Sequence, residues 1–149
     1  MTDTAPHDPN CLFCRIAAGE IPAHVVAEDE LVLAFLDLHP IRPGHVLVIP
    51  KAHHVWFEDM PAPEAAAVMA MSQRLGRALK GIYGVERVAL FFTGIHVPHA
   101  HAHLVAMQHP HDVTSAAYMG DGVDGYTMPP RLPDAEMEAI AAELRGRLG

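Results

Sequence analysis

The stretch Val97-Pro98-His99-Ala100-His101-Ala102-His103-Leu104-Val105 carries a histidine at every second position of its middle. In an extended strand, residues two apart point to one face. The spacing therefore predicts a strand over 97–107 on which His99, His101 and His103 stand in a row, with Ala100 and Ala102 on the opposite side. A neutral imidazole can attack phosphorus through one ring nitrogen while a carbonyl or a neighbour fixes the proton on the other. Alternating histidines suit a metal ion equally well, and a polar strand face needs neither explanation. With 12 histidines among 149 residues, chance alone supplies ~0.08 such runs, so the run by itself leaves catalysis, metal binding and a plain polar face open.

Outward from this run, the pattern reads as strands first. Arg87 to Thr93 is strand-like, as are Ala23 to Ala27, Leu31 to Asp37 and His45 to Ile49, the middle pair joined by a Pro-containing connection over 38–44. Between them, Val68, Met71, Leu75 and Leu79 recur at helical spacing and predict a helix over 63–80 that ends before Gly81. Asn10 is placed to cap a short helix from Cys11 to Ala18, and Asp134 to cap a C-terminal helix over 134–148 whose Met137, Ile140, Leu144 and Leu148 share a face. Short links favour antiparallel neighbours, so the expected class is α+β: one domain over 1–149 with its core at about 11–107 and an irregular, Gly-, Asp- and Pro-rich segment over 108–133.

Composition narrows the function. The chain is 50% hydrophobic and 19% charged, values of a folded protein rather than a disordered one. Its formal charge of −8 opposes general binding to nucleic acid or an anionic membrane, while a few well-aimed donors can still hold a small phosphate compound. No signal-like run opens the sequence and no stretch reaches the length of a membrane span, so the expected location is the cytoplasm. The two cysteines, Cys11 and Cys14, form a Cys-x-x-Cys pair open to metal binding, redox chemistry or plain burial. No βαβ pattern surrounds them, which disfavours a thioredoxin-like motif.

Five ordered blocks carry a wider likeness: Cys11-Leu-Phe-Cys-Arg-Ile16, Gly19-Glu-Ile-Pro-Ala23, Ala34-Phe-Leu-Asp-Leu-His-Pro40, Pro43-Gly-His-Val-Leu-Val-Ile-Pro-Lys-Ala-His53 and Val97 to Val105. Together they closely resemble the histidine triad superfamily, in particular its small branch of nucleoside phosphoramidate hydrolases and bacterial relatives. The resemblance implies a bent antiparallel sheet of about five strands with flanking helices, paired as a homodimer. It implies a hydrolase or transferase in which His101 attacks the α-phosphorus of a nucleoside phosphoramidate or nucleotidyl anhydride, forming a nucleotidyl-histidine that water resolves to a nucleoside monophosphate. His103 matches the histidine that contacts phosphate and His99 the first of the triad. Leu12, Phe13, Ile16, Phe35 and Leu38 match the pocket for the base, with ordinary core as the plain alternative for Phe13, Phe35 and Leu38, and Asp37 matches the acceptor for ribose hydroxyls. Cys11, Cys14, His53 and His99 match a structural zinc site found in some relatives. His45 and Lys51 fall in matching blocks without an assigned role.

The likeness fails just before the triad. Relatives usually carry Asn and then Gly-Gln there, whereas this chain reads Phe91-Phe92-Thr93-Gly94-Ile95-His96 and its single Asn is Asn10. Loss of one donor to a developing phosphate charge costs on the order of 10²–10³ in rate. Thr93 and His96 are the candidates for a substitute donor, and a solvated loop residue is the plain reading of His96. A zinc-stabilised nucleotide-binding protein with little turnover is therefore the second expectation, and a metal-dependent hydrolase using the histidine row as ligands the third.

Overall fold

In the computed structural model, which describes residues 6–93, 96–113 and 128–148, the chain runs α1 (Leu12–Ala17), β1 (Val25–Glu28), β2 (Val32–Leu36), β3 (Val46–Pro50), a 3₁₀ turn (Phe57–Asp59), α2 (Ala62–Tyr83), β4 (Arg87–Phe92), β5 (Ala102–Met107) and α3 (Asp134–Leu148). The strands form one antiparallel sheet in the order β1-β2-β3-β5-β4. The fold is thus the expected α+β arrangement.

Every residue of β2 and β3 is buried because both faces of the sheet are covered. Val32, Ala34, Leu36, Val46, Val48, Ala102 and Leu104 pack against Val68, Met71, Leu75 and Leu79 of α2 and Met137, Ala141 and Leu144 of α3. The alternate residues Leu33, Phe35, Leu47 and Ile49 meet Cys11, Phe13 and Cys14 at α1. Full burial of each large apolar side chain contributes roughly 1.5–3 kcal/mol. His103 pairs with Leu47 on one side and Phe91 on the other, so strand alternation puts it on the α1 face, opposite Ala102 and Leu104.

Three local expectations are corrected. The helix cap is Cys11 rather than Asn10: the Cys11 Sγ accepts the Cys14 amide at 3.4 Å. Helix α2 runs through Gly81 to Tyr83 and ends at Gly84, whose φ of 62° supplies the left-handed residue that closes a helix. Gly81 sits where an added Cβ would come 3.0 Å from Arg147 of α3, a close approach that its lack of a side chain permits. The third correction is that β5 starts at Ala102 rather than near Val97. Pro98 offers no N–H to a ladder, and the His99 amide turns back onto the Val97 carbonyl at 2.8 Å. Of the expected irregular segment, 114–127 lies outside the described residues, while 108–113 forms an ordered turn.

Candidate functional site

The triad does not stand as three equivalent rings in a row. His101 and His103 remain neighbours, with ring centroids 4.9 Å apart, whereas the His99 ring is bonded into the cysteine cluster. Hydrogen bonds give each ring its tautomer. His101 Nδ1–H donates to the His99 carbonyl at 2.6 Å, which leaves the lone pair on Nε2. The Ile41 amide donates to His45 Nδ1 at 3.1 Å, so neutral His45 carries its proton on Nε2 and donates it to His103 Nδ1 at 3.0 Å. His103 must then carry its proton on Nε2, and among the described residues that nitrogen is the buried side-chain polar atom without a partner. Its ring lies flat on Phe91, with centroids 4.7 Å apart and planes 6° from parallel.

Burial keeps these rings neutral. It pushes His45 down to about 3 and His103 down to about 4, with further lowering from the neighbouring histidines. Burial also lowers His101, against the opposing pull of the His99 carbonyl bond and the Asp37 charge. Two adjacent imidazoles thereby present opposite functions: His101 offers a lone pair and His103 an N–H. Asp37, His45 and His103 also bring possible ligand atoms within 4.8 Å of one another. His45 and His103 already share a proton there, an arrangement that competes with a metal.

A cavity of about 870 Å³ opens in front of His101 and His103. Leu12, Phe13, Ile16, Phe35, Asp37, Leu38, Thr93 and His96 all line it, so the eight pocket residues singled out from sequence meet at one place. Leu12 and Leu38 are 46% and 38% exposed, as pocket walls are, while Phe13 and Phe35 also contribute to the core at 5% and 3%. The Phe13 ring meets Phe35 and His101 edge-on, at 5.4 and 5.0 Å. Asp37 accepts the His39 amide at 2.8 Å through Oδ1, and its Oδ2 lies 3.7 Å from His45 Nε2; burial raises its carboxyl above the usual carboxylate value. Thr93 and His96 have exposed side chains at the rim, and Ile95 lies outside the described residues. The far end of the cavity is polar, formed by His24, Arg131, Asp134 and Glu138, with His24 bonded to Glu138 at 3.0 Å.

Cys11, Cys14, His53 and His99 form a second cluster beside the pocket, one ligand atom from each lying within 4.8 Å of all the others. The Sγ to Nδ1 separations are 3.4 Å for Cys11 and His99, 3.3 Å for Cys14 and His53, and 3.5 Å for Cys14 and His99. Tetrahedral zinc with S and N ligands at ordinary bond lengths sets such separations at about 3.6 Å, so the donors fit. Their surroundings fit as well: His99 Nε2–H donates to the Pro50 carbonyl at 2.8 Å, leaving Nδ1 as the ligand atom. The Asp8 amide also donates to Cys14 Sγ at 3.4 Å. Burial pushes the Cys14 thiol up to about 11, a cost that a divalent cation among the thiolates removes. Both cysteines are free of a disulfide.

Two functional elements escaped the sequence reading. His45 received no chemistry, because its role depends on the Ile41 amide and on His103, which is 58 residues away. Arg42 and Asp112 form a bidentate pair at 2.9 and 2.8 Å that ties the pocket loop to the turn after β5; no local pattern marks a contact 70 residues long.

Known proteins are similar to this chain in sequence and fold. An adenosine 5′-monophosphoramidase of Saccharomyces cerevisiae is 35% identical over 106 residues, covering 70% of this chain and 67% of the relative. An uncharacterised HIT-like protein of Methanocaldococcus jannaschii is 40% identical over 99 residues, 64% of this chain and 77% of that one. Among solved structures, a Zn-bound histidine triad family protein of Mycobacterium smegmatis superposes with a TM-score of 0.71 at 29% identity, covering 93% of each chain. Residues 18–110, from the end of α1 to the turn after β5, match the HIT domain, and with the triad geometry they identify the chain as a member of the HIT domain family.

Proposed function

We propose that this protein hydrolyses or transfers at the α-phosphorus of nucleoside phosphoramidates or nucleotidyl anhydrides, with His101 as nucleophile. The observation that carries the reading is the pair of opposed tautomers: a lone pair on His101 Nε2 beside an unpartnered N–H on His103 Nε2, both at one cavity. His101 Nε2 forms a bond to phosphorus as the P–N or P–O bond to the leaving group breaks, and an amine leaving group takes up a proton from solvent. The resulting imidazolium keeps its Nδ1–H on the His99 carbonyl, and the Asp37 charge favours it electrostatically. His103 Nε2–H donates to a phosphoryl oxygen as charge develops there. Water then attacks phosphorus as the bond from phosphorus to His101 Nε2 breaks, and its proton passes to solvent, which releases the nucleoside monophosphate and restores neutral His101. The base lies between Leu12, Phe13, Ile16, Phe35 and Leu38, and Asp37 accepts from the ribose. Thr93 or His96 supplies the donor that the absent Asn and Gln would have given.

The similarity to a yeast monophosphoramidase supports the substrate class, and the Zn-bound relative supports zinc at Cys11, Cys14, His53 and His99. A zinc ion there supplies structural cross-linking of α1 to the sheet. Strand β4 is a sheet edge, with Leu90 38% exposed and the Phe92 ring tilted against Phe57 with centroids 5.5 Å apart. An uncovered edge of this kind favours pairing with the same strand of a second copy, a homodimer. No helix among the described residues is long and apolar enough to cross a membrane.

The test is hydrolysis of adenosine 5′-monophosphate amide by the parent and by His101→Ala, with intact mass recorded during turnover. The expected result is an adenylylated parent and loss of turnover in the variant. Binding of adenosine monophosphate without adduct or turnover in the folded parent would overturn the enzyme reading in favour of a nucleotide-binding protein.

A further inference from the structure

We infer that Arg131 and Asp134, at the start of α3, read the outer edge of the base and make the protein selective for guanine over adenine nucleotides. This rests on the nucleotide reading of the cavity.

The direction of a bound nucleotide follows from its connectivity. With phosphorus at His101 and His103, ribose at Asp37 and the base between Leu12, Ile16 and Leu38, the base edge lies farthest from the triad, at the polar end of the cavity. The leaving group departs from phosphorus in line with and opposite to His101 Nε2, along a direction distinct from the bond that leads to ribose and base. Apolar walls hold either purine, so hydrogen-bonding groups at the polar end are what can tell the two apart.

The fold sets those groups in place. Met137, Ala141 and Leu144 bury α3 against the sheet, and Asp134 and Glu138, one turn apart, line the cavity beside them. The ring nitrogens of His24 face Glu138 at 3.0 Å and Asp134 at 3.8 Å, which ties both carboxylates to the start of β1. Arg145, two turns further along α3, donates to the Val25 carbonyl at 2.8 Å. His39 Nδ1–H donates to the Pro129 carbonyl at 3.1 Å, joining the chain before α3 to the loop that carries Asp37 and Leu38. The ribose acceptor and the wall at the base edge are therefore fixed to one another.

Arg131 Nη2 lies 3.1 Å from Asp134 Oδ1, so a donor fork and a two-oxygen acceptor stand side by side on the cavity rim. A guanine edge presents O6, N1–H and N2–H₂ in succession. O6 accepts from the Arg131 guanidinium, while N1–H and N2–H donate to the two Asp134 oxygens. Adenine carries a lone pair at N1 where guanine has N1–H and no amino group at C2, so the same carboxylate repels its N1. Glu138 adds a second negative charge, which further favours the donor-rich edge. A bidentate pair separates right from wrong base by roughly 5- to 150-fold. Both side chains are exposed at the rim, which sets the expected preference near the lower end, at about tenfold.

The experiment titrates the full-length protein, supplied with zinc, with guanosine, inosine and adenosine monophosphates by isothermal calorimetry, a readout that needs no turnover. The parent is expected to bind the guanosine compound about tenfold more tightly than the adenosine one. The inosine compound, which keeps O6 and N1–H but lacks the 2-amino group, should fall between them. Asp134→Asn presents one acceptor beside one donor, the pattern that suits adenine; it should weaken guanosine monophosphate about tenfold and leave adenosine monophosphate unchanged or tighter. Arg131→Ala should weaken the guanosine and inosine compounds alike, since both lose the partner of O6, with little change for adenosine. Equal affinities in the parent would overturn the inference, as would a preference for adenosine. A loss in folded Asp134→Asn that is the same for all three nucleotides would overturn it too, because that is the mark of a merely structural ion pair. The expected preference without any adduct on His101 would support the base selectivity and sink only the enzyme reading, whereas a folded parent that binds none of the three would sink both.

Discussion

Replacing Asp112 with Asn should destabilise the protein by an amount that depends on pH in a defined direction. The carboxylate is 7% exposed and accepts hydrogen bonds from Arg42 Nη2 at 2.8 Å, Arg42 Nε at 2.9 Å, the Gln108 amide at 2.8 Å and the His109 amide at 3.1 Å. The Arg42 guanidinium first, and the two amides with it, hold the group down to about 2 against the ordinary 3.8. That gap corresponds to about 2.4 kcal/mol of preference for the charged form in the folded state. Arg42 is 35% exposed, so solvent screening brings the expected contribution to about 1–2 kcal/mol. Because the folded value lies below the unfolded one, the stabilisation is complete above about pH 5. It is lost as pH falls from 3.8 through about 2.

Urea unfolding of the parent and Asp112→Asn at pH 7, 5 and 3 reads this directly. The difference should be about 1–2 kcal/mol at pH 7 and 5 and fall to about half at pH 3, where the parent's own carboxylate is partly protonated in the unfolded chain. The matching loss in Tm at pH 7 is about 2–8 °C. Acid destabilisation from the buried neutral histidines is common to both proteins and cancels in the difference. A gap that stays the same at pH 3, or one below about 0.3 kcal/mol at pH 7, would refute the assignment of Asp112 as the charged anchor of the 38–44 connection.

His45→Leu should leave the chain folded and the nucleotide KM within a few-fold. It should lower kcat by up to about 10²–10³, because His103 loses the bond that keeps its proton on Nε2; an unchanged kcat in steady-state assays would mean that His103 does not act through that N–H. Gly44→Ala should cost roughly 2–4 kcal/mol, seen as a lower urea midpoint. Its φ is +86°, and an added Cβ would lie 2.6 Å from Tyr83 Cε2 and 3.1 Å from Leu79 Cδ2. A midpoint equal to the parent's would show that this close approach is readily relieved.

How much of this was legible in the sequence depended on the range of the interaction. Strands β2 and β3 could be read because Val32 to Leu36 and Val46 to Ile49 are short apolar runs bounded by turn residues. Residues sharing a sheet face or a helix stripe were recoverable for the same reason, since period alone decides them. The pocket residues and the four donors of the metal cluster were reachable only through family likeness, because Cys14 and His53 lie 39 residues apart and Cys11 and His99 lie 88 apart. The strand expected over 97–107 failed at its start because one proline removes the ladder donor that periodicity assumes. Tautomers were beyond reach altogether. Nothing in the spacing of His99, His101 and His103 says that one ring faces thiolates, one a carbonyl and one another imidazole.

That last point bears on how the site works. His101 and His103 are chemically identical and sit two residues apart, His101 buried and His103 largely so, and their opposed roles cannot come from residue type or charge. They come from what stands behind each Nδ1. An acceptor that can only accept, the His99 carbonyl, forces a proton onto His101 Nδ1 and frees Nε2 to attack. A donor that can only donate, the Ile41 amide, acts through His45 to force the reverse on His103. Both assignments originate in the backbone, whose groups neither titrate nor rotate freely. Burial then holds His45 and His103 neutral down to about 3 and about 4. The donor role of His103 should therefore persist across the whole range from pH 5 to 8, with no carboxylate needed to enforce it. A replacement that preserves charge but alters either backbone partner's position should harm the reaction more than one that removes a nearby charge.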